Sequence, residues 1–342
     1  MRARPLAIWI AASAMVGSFG YGIASSPAGT PTARWAGTPT ARLAAKAKPV
    51  SCGHGHSTCT TTPAPTSSTA TSSSASTPPP PNGHKVMVIV EENHSQTEAV
   101  TLMPHLAGWA DTYGKATAYT AVTHPSLPNY LAIAGGSTFG IADDNAPSSH
   151  PISGDSVFDQ SVSGAASAKT YAEGMTSNCM LSNTGRYAVK HNPWAYFNGA
   201  TQRANCNTGD VPLGTTSAGN LHDDIAAGAL PNTGMMIPDL CNDAHDCPLS
   251  TADDWLAAWV PQLMGGVDYK SGNLTIVITF DEDDSSAGNN VAFVVIDPRL
   301  SGKVVSSAAN HYSLTRWLDA NVGAPLLRSA ATAPDLKAAF GL

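Results

Sequence analysis

Residues 85–93 read KVMVIVEEN, and this stretch decides the fold. Lys85 to Val90 is a short, continuous, mostly β-branched apolar run, the pattern of a strand covered on both faces in a parallel sheet. It stops abruptly at Glu91-Glu92-Asn93. Two later runs have the same character, Leu274 to Phe280 (LTIVITF) and Val291 to Ile296 (VAFVVI), and the first ends in Asp281-Glu282-Asp283-Asp284. Lys169 to Ala172 and Thr233 to Ile237 read as shorter strands.

Helical spacing fills the intervals. It predicts helices over 101–113, over 126–134 with Pro128 tolerated in the first turn, over 156–162, over 251–264 and over 311–320. The fourth opens on Thr251 as an N-cap with Asp254 three residues on. Strands alternating with helices, the strands apolar throughout, imply an α/β three-layer sandwich with a mostly parallel central sheet. Such sheets bind ligands beyond the carboxyl ends of their strands, and both acid clusters fall there.

Outward from this core the composition changes. Arg2 and Arg4 precede an almost uncharged apolar stretch and a small-residue exit at Ala24-Ser25-Ser26, the form of an export leader over residues 1–26. Residues 27–82 are rich in Ser, Thr and Pro, and 60–81 hold no charge and almost nothing to bury, so an extended stalk is expected. The catalytic domain then spans 83–342, in a protein secreted or held at the cell envelope, with no stable membrane insertion once the leader is removed.

All 25 acidic residues lie after residue 83, with 12 of the 18 basic ones, a net charge of −13 with His neutral. That excludes non-specific nucleic-acid binding, which needs basic side chains against phosphates, and it points to acids engaged by cations. Six cysteines in an exported chain imply disulfides. Proximity in sequence favours Cys179–Cys206 and Cys241–Cys247, with Cys52 and Cys59 closing a small loop at the base of the stalk.

Carboxylates and an amide at the ends of two buried strands can converge on one hard cation through oxygen. For Glu92, Asn93, Asp281 and Glu282 that reading leads; for Asp283 and Asp284 a solvated loop exit is preferred. Ser126 stands where a helix begins, near free backbone N–H groups and the positive end of the macrodipole, so it reads either as an N-cap or as a nucleophile beside an anion site. In PDLCNDAHDC (238–247), Asp243 and His245 offer metal binding or proton transfer. His311 opens the last long helix as a ligand, a proton donor or a cap. His124, His150 and His191 read more readily as structural.

Taken together, VIVEENHS, HPSLPNYLAIAGG, PDLCNDAHDC, VITFDEDD and NHYSLTRWL, in that order over 88–318, resemble the bacterial phosphoesterase family that groups acid phosphatases with phospholipases of the C type. That family is related to the alkaline phosphatase superfamily, so the resemblance implies an alkaline-phosphatase-like fold and a metal-dependent phosphoric ester hydrolase. It implies metal ligation by Glu92, Asn93, Ser126, Asp281 and Glu282, with Ser126 also the nucleophile. Asn129 would help hold the phosphoryl group, and His245 or His311 would donate a proton. Asp281-Glu282 lacks the Asp-His pair of two-zinc relatives, so one divalent cation is preferred, with Asp243, His245 and His311 the residues for any second. The expected substrate is a small phosphate ester, a monoester ahead of a phospholipase C-type diester.

Two rivals are weaker. Gly154-Asp155-Ser156 matches the GDS block of GDSL-type carboxylesterases, but it lies mid-domain and the chain contains no DxxH. A non-catalytic surface-binding module would suit the stalk and seven Trp, yet Trp109, Trp194, Trp255, Trp259 and Trp317 fall in apolar or helical contexts.

Overall fold

A computed structural model describes residues 83–342; the expected leader, stalk and Cys52–Cys59 pair lie outside the described residues. Ten strands follow in chain order: β1 (Lys85–Glu91), β2 (Gly114–Ala116), β3 (Tyr119–Thr120), β4 (Ala168–Ala172), β5 (Asp210–Pro212), β6 (Thr233–Ile237), β7 (Leu274–Phe280), β8 (Phe293–Ile296), β9 (Lys303–Val305) and β10 (Ala309–Asn310). Eight form one sheet in the order β5-β4-β6-β1-β7-β8-β2-β9, and β3 pairs with β10 apart from it. Every residue of β1 and β7 is buried, as their unbroken apolar runs require. Helices flank the sheet in two groups, giving the expected three layers: 126–135 packs with 157–163 and 311–321, and 96–102 packs with 104–112 and 249–265.

The sheet is parallel except for β8, which runs against both β7 and β2. The link from Phe280 to Phe293 contains no helix to carry the chain back across the sheet, so the strand returns antiparallel. That short link holds Asp281 to Asp284. Register then decides what meets at the sheet's rim. Glu91 pairs with Phe280, and Asp281 donates its backbone N–H to Glu91 O at 2.9 Å. Glu92 and Asp281 therefore leave the sheet side by side.

The helix expected over 101–113 is two helices, Gln96–Leu102 and Pro104–Thr112. Pro104 drives Met103 out of helical geometry, to φ −118 and ψ 83, and itself starts the second helix without needing an N–H donor. The helix expected from Thr251 begins at Leu249 with Pro248 as its cap, so Thr251 and Asp254 sit inside it rather than at its mouth. The run from Val291 enters the ladder only at Phe293. Ser156 is fully buried and closes a capping box with Asp159, at 2.6 Å between side chains, so its hydroxyl starts the helix Val157–Ser163. Both expected disulfides are present, with Cα separations of 5.3 Å for Cys179–Cys206 and 4.7 Å for Cys241–Cys247. Among the described residues, no helix is long and apolar enough to cross a membrane.

Candidate active site

The helix Ser126–Gly135 is buried at every residue, so it is a rigid platform rather than a surface element. Pro125 is its N-cap, which places Ser126 at the first helical position and frees its hydroxyl from capping. Gly136 ends the helix at φ 66, where an added Cβ would lie 2.5 Å from Leu327 O. Ser126 and Tyr130 are one turn apart on one face, and both reach Glu92. Ser126 Oγ donates to Glu92 Oε2 at 3.1 Å, and the Tyr130 hydroxyl donates to Glu92 Oε1 at 2.6 Å.

Asn93 leaves β1 at φ 57, a left-handed turn that Asn tolerates better than most residues, and its N–H donates to Asp281 Oδ1 at 3.1 Å. The loop 238–248 follows β6 and is tied to the same rim by Glu92 N donating to Asp243 O at 2.8 Å. Glu92, Asp243, Asp281 and Glu282 thus converge. Burial, then Asp281 and Asp243, push the Glu92 carboxyl well above its usual range. Burial raises Asp281 and Asp243 to about 7 each; burial, then Asp281, raises Glu282 to about 8.

These acids are short of positive charge. The Ser126 hydroxyl lies near enough to Asp281 to draw its carboxyl down, but its one proton is aligned on Glu92. Asp281 Oδ2 and Asp243 Oδ2 are buried without an aligned donor. Orphaned carboxylate oxygens of this kind are costly unless a cation meets them, and a hard-oxygen set with imidazole beside it suits a divalent metal. The residues fit such an ion.

His191 lies between two of the acids, Nε2 3.1 Å from Glu92 Oε1 and Nδ1 3.1 Å from Asp243 Oδ2. Distance alone overstates these contacts, because Nε2 and Asp243 Oδ2 lack an aligned partner. Burial, then Lys190 and His245, hold the ring far below its usual pKa, so it is neutral and neither contact is an ion pair. Tyr130 stacks on it at 5.1 Å. Lys190 reaches in from the adjacent position: Nζ is 3.4 Å from Ser126 Oγ, 3.1 Å from Asp144 Oδ2 and 3.2 Å from His245 Nε2. Burial pulls its pKa down, but Glu92 and Asp144 outweigh that and raise it, so it stays a cation.

Not every expected residue faces the site. Asn129 is fully buried, and its Oδ1 accepts from Val122 N and Thr123 N while Nδ2 donates to Thr123 O, Pro125 O and Glu282 Oε2. Its amide is committed to the chain, so it positions Glu282 and the 122–125 loop instead of holding a phosphoryl group. His311 is also fully buried, with Nε2 2.6 Å from Asp281 O and Nδ1 2.9 Å from the Tyr119 hydroxyl. It braces the turn at Asp281 from behind and has no free nitrogen for proton donation. His245 is half-buried, with Nδ1 2.7 Å from Asp246 Oδ1 and Nε2 accepting from Lys190 Nζ at 3.2 Å, so it too has no free nitrogen for proton donation. One helix N–H counted on for an anion, that of Leu127, already donates to Asp144 Oδ1 at 2.9 Å. Asp283 is a loop staple, accepting from Ser285, Ala287 and Asn289 backbone N–H groups, and Asp284 is exposed.

Lys190, His191, Tyr130 and Asp144 were not singled out for chemistry by sequence. The spacing of Ser126 and Tyr130 is a signal for the second; Lys190 and His191 lie in a short 3-10 turn, Val189–His191, with no pattern to announce them. A concavity of about 910 Å³ opens elsewhere, lined by Gly83, His84, Ser167 and Asn232 at the amino ends of β1, β4 and β6. It holds none of the clustered carboxylates.

The chain is similar in sequence to known phosphatases. The chain is 31% identical over 221 residues to the phosphate-repressible acid phosphatase of Penicillium chrysogenum, a match covering 62% of this chain and 52% of that one. This chain thus spans about half the length of that relative. It is 26% identical over 262 residues to the phosphatidylinositol-3-phosphatase of Mycobacterium tuberculosis, covering 75% of this chain and 82% of that one. In fold it is similar to a protein of the alkaline phosphatase superfamily from Vibrio parahaemolyticus, with a TM-score of 0.51 at 9% identity, over 73% of this chain and 70% of that one. The model of the phosphoesterase family matches residues 102–325, and the chain belongs to that family.

Proposed function

We propose that the protein is an exported, metal-dependent phosphomonoesterase in which Ser126 is the nucleophile, acting from a catalytic domain over 83–342 behind the leader and stalk. The observation that carries this is the placing of Ser126 Oγ between Glu92 Oε2 at 3.1 Å and Lys190 Nζ at 3.4 Å, at the carboxyl ends of two buried strands. The acid phosphatase relative supports the reaction class, and the cysteine pairs in oxidised form suit an exported protein.

Glu92, Asn93, Ser126, Asp281 and Glu282 would hold the divalent ion, which supplies charge stabilisation to the transferring phosphoryl group. Ser126 Oγ forms a bond to phosphorus as the bond from phosphorus to the ester oxygen breaks. Glu92 Oε2, already accepting the hydroxyl proton, takes it. The departing alkoxide takes a proton from water, while His245, fixed by Asp246 through Nδ1, accepts from Lys190 at Nε2 and holds that ammonium in place. The hydroxide so formed adds to phosphorus, the bond to Ser126 breaks, and Ser126 recovers its proton from Glu92 as phosphate leaves. Tyr130, stacked on His191, keeps Glu92 oriented, and Asn129 and His311 fix the two acid turns.

The test is hydrolysis of p-nitrophenyl phosphate by the full chain. Dialysis against a chelator should abolish turnover, a divalent ion should restore it, and Ser126→Ala should lower kcat by at least about 1000-fold. Turnover that persists in Ser126→Ala would remove the nucleophile assigned here.

A further inference from the structure

Glu92, His191 and His245 offer ligand atoms that all lie within 4.8 Å of one another, a grouping able to hold a metal ion. It is distinct from the oxygen set at Asn93, Asp281 and Glu282, though Glu92 belongs to both. What stands against it is Lys190, whose ammonium is 3.2 Å from His245 Nε2, one of the three donors. The same ammonium is 3.4 Å from Ser126 Oγ and is anchored by Asp144 at 3.1 Å. Asp144 in turn holds Leu127 N at 2.9 Å, so the lysine is tied to the first turn of the nucleophile's own helix. A dication among Glu92, His191 and His245 would face this ammonium at close range, and the two charges would repel.

We propose that Lys190 replaces a second cation and is a catalytic residue that binds the phosphoryl oxygens, matching the site to a phosphomonoester dianion. This inference rests on the reading of Ser126 as the nucleophile at a phosphoryl site. A phosphomonoester carries close to two negative charges at neutral pH, whereas a diester carries one. It enters a pocket whose Glu92, Asp243, Asp281 and Glu282 would repel it, so the second charge on the substrate needs a positive charge beyond the single metal ion. Among the described residues, Lys190 is the lysine or arginine within hydrogen-bond reach of Ser126 Oγ. An ammonium there touches the oxygens of a phosphorus atom bonded to that hydroxyl, and an ion pair of this kind strengthens as charge moves onto those oxygens.

The experiment compares the full chain with Lys190→Gln and Lys190→Arg in three ways. Metal content by plasma mass spectrometry should be one divalent ion per chain in the unsubstituted protein; two would overturn the inference. The kcat/KM for p-nitrophenyl phosphate should fall about 100-fold in Lys190→Gln, and that for methyl p-nitrophenyl phosphate less than about 10-fold, with Lys190→Arg recovering most of the monoester loss. Equal losses on the two esters would mean that the lysine only supports the fold. Calorimetric titration with inorganic phosphate reads the same charge without turnover. Affinity should drop at least about 10-fold in Lys190→Gln, and unchanged affinity would overturn the inference. If the unsubstituted chain hydrolyses neither ester, the nucleophile reading fails, while the phosphate titration still decides whether Lys190 binds the anion. Lys190→Met, of similar length, takes the place of Lys190→Gln should that variant not fold.

Discussion

Tyr130 donates its hydroxyl proton to Glu92 Oε1 at 2.6 Å, from the helix face that also carries Ser126 to Glu92 Oε2. One carboxylate at the end of β1 is thereby fixed through both oxygens by two residues a single turn apart. The orientation of Glu92 is a property of that helix, not of the loop it starts. Tyr130→Phe removes one oxygen and leaves the ring stacked on His191. We expect kcat/KM for p-nitrophenyl phosphate to fall about 10-fold with the fold intact by circular dichroism, the size of effect usual for a residue that orients a catalytic carboxylate. Unchanged kinetics would show that Glu92 needs no such support.

Away from the site, Asp253 caps the helix Pro104–Thr112 from outside. Its carboxylate accepts from His105 N at 3.1 Å and Leu106 N at 3.0 Å, and it pairs with His105 Nδ1 at 2.8 Å. Asp253→Ala should cost about 1–2 kcal/mol in urea unfolding, as loss of a good N-terminal cap does. Activity per folded molecule should not change.

Asp319 sets a pH dependence that can be isolated. Burial raises its carboxyl to about 7, although Leu327 N–H and Arg328 oppose this, and its Oδ1 is buried without a partner. The folded state therefore keeps a proton between about pH 4 and pH 7 that the unfolded chain has released. Its stabilising contribution is complete below pH 4 and is lost as pH rises to 7, with no further change above. Asp210, also raised to about 7 by burial, acts in the same direction. Asp319→Asn keeps an acceptor for Leu327 N–H and adds no titration. It should reduce the fall in unfolding free energy between pH 4 and pH 7 by about 1–2 kcal/mol, read by urea unfolding at each pH.

Removal of the metal should also be visible without substrate. With Asp281 Oδ2 facing no donor, chelation should lower the melting temperature by several degrees, and adding back a divalent ion should restore it. A melting temperature indifferent to chelator would mean that this oxygen meets no cation in solution.

The meeting of Glu92 with Asp281 was legible because it follows from register. Two fully buried runs of equal length, each ending in acids, present those acids together once they pair in parallel. Tyr130 was legible in principle, since helical spacing puts it above Ser126. The rest depends on direction, which periodicity does not carry. A His that opens a helix is easily seen, but only tertiary packing decides that His311 faces the back of Asp281 and not the solvent. Lys190 is 64 residues from Ser126 in a turn with no repeating pattern, and the contact that brings it there is made by the fold as a whole. The same holds for Asn129: its amide was expected to face a ligand, but its hydrogen-bonding capacity is met by the loop it closes.

The central claim is that Ser126 becomes covalently bonded to phosphorus. Acid quenching of the enzyme during turnover of p-nitrophenyl phosphate, followed by peptide mass spectrometry, reads this directly. A phosphoryl group on the peptide containing Ser126, absent in Ser126→Ala, is the predicted result. Steady turnover with that peptide unmodified and the label on another residue would contradict it.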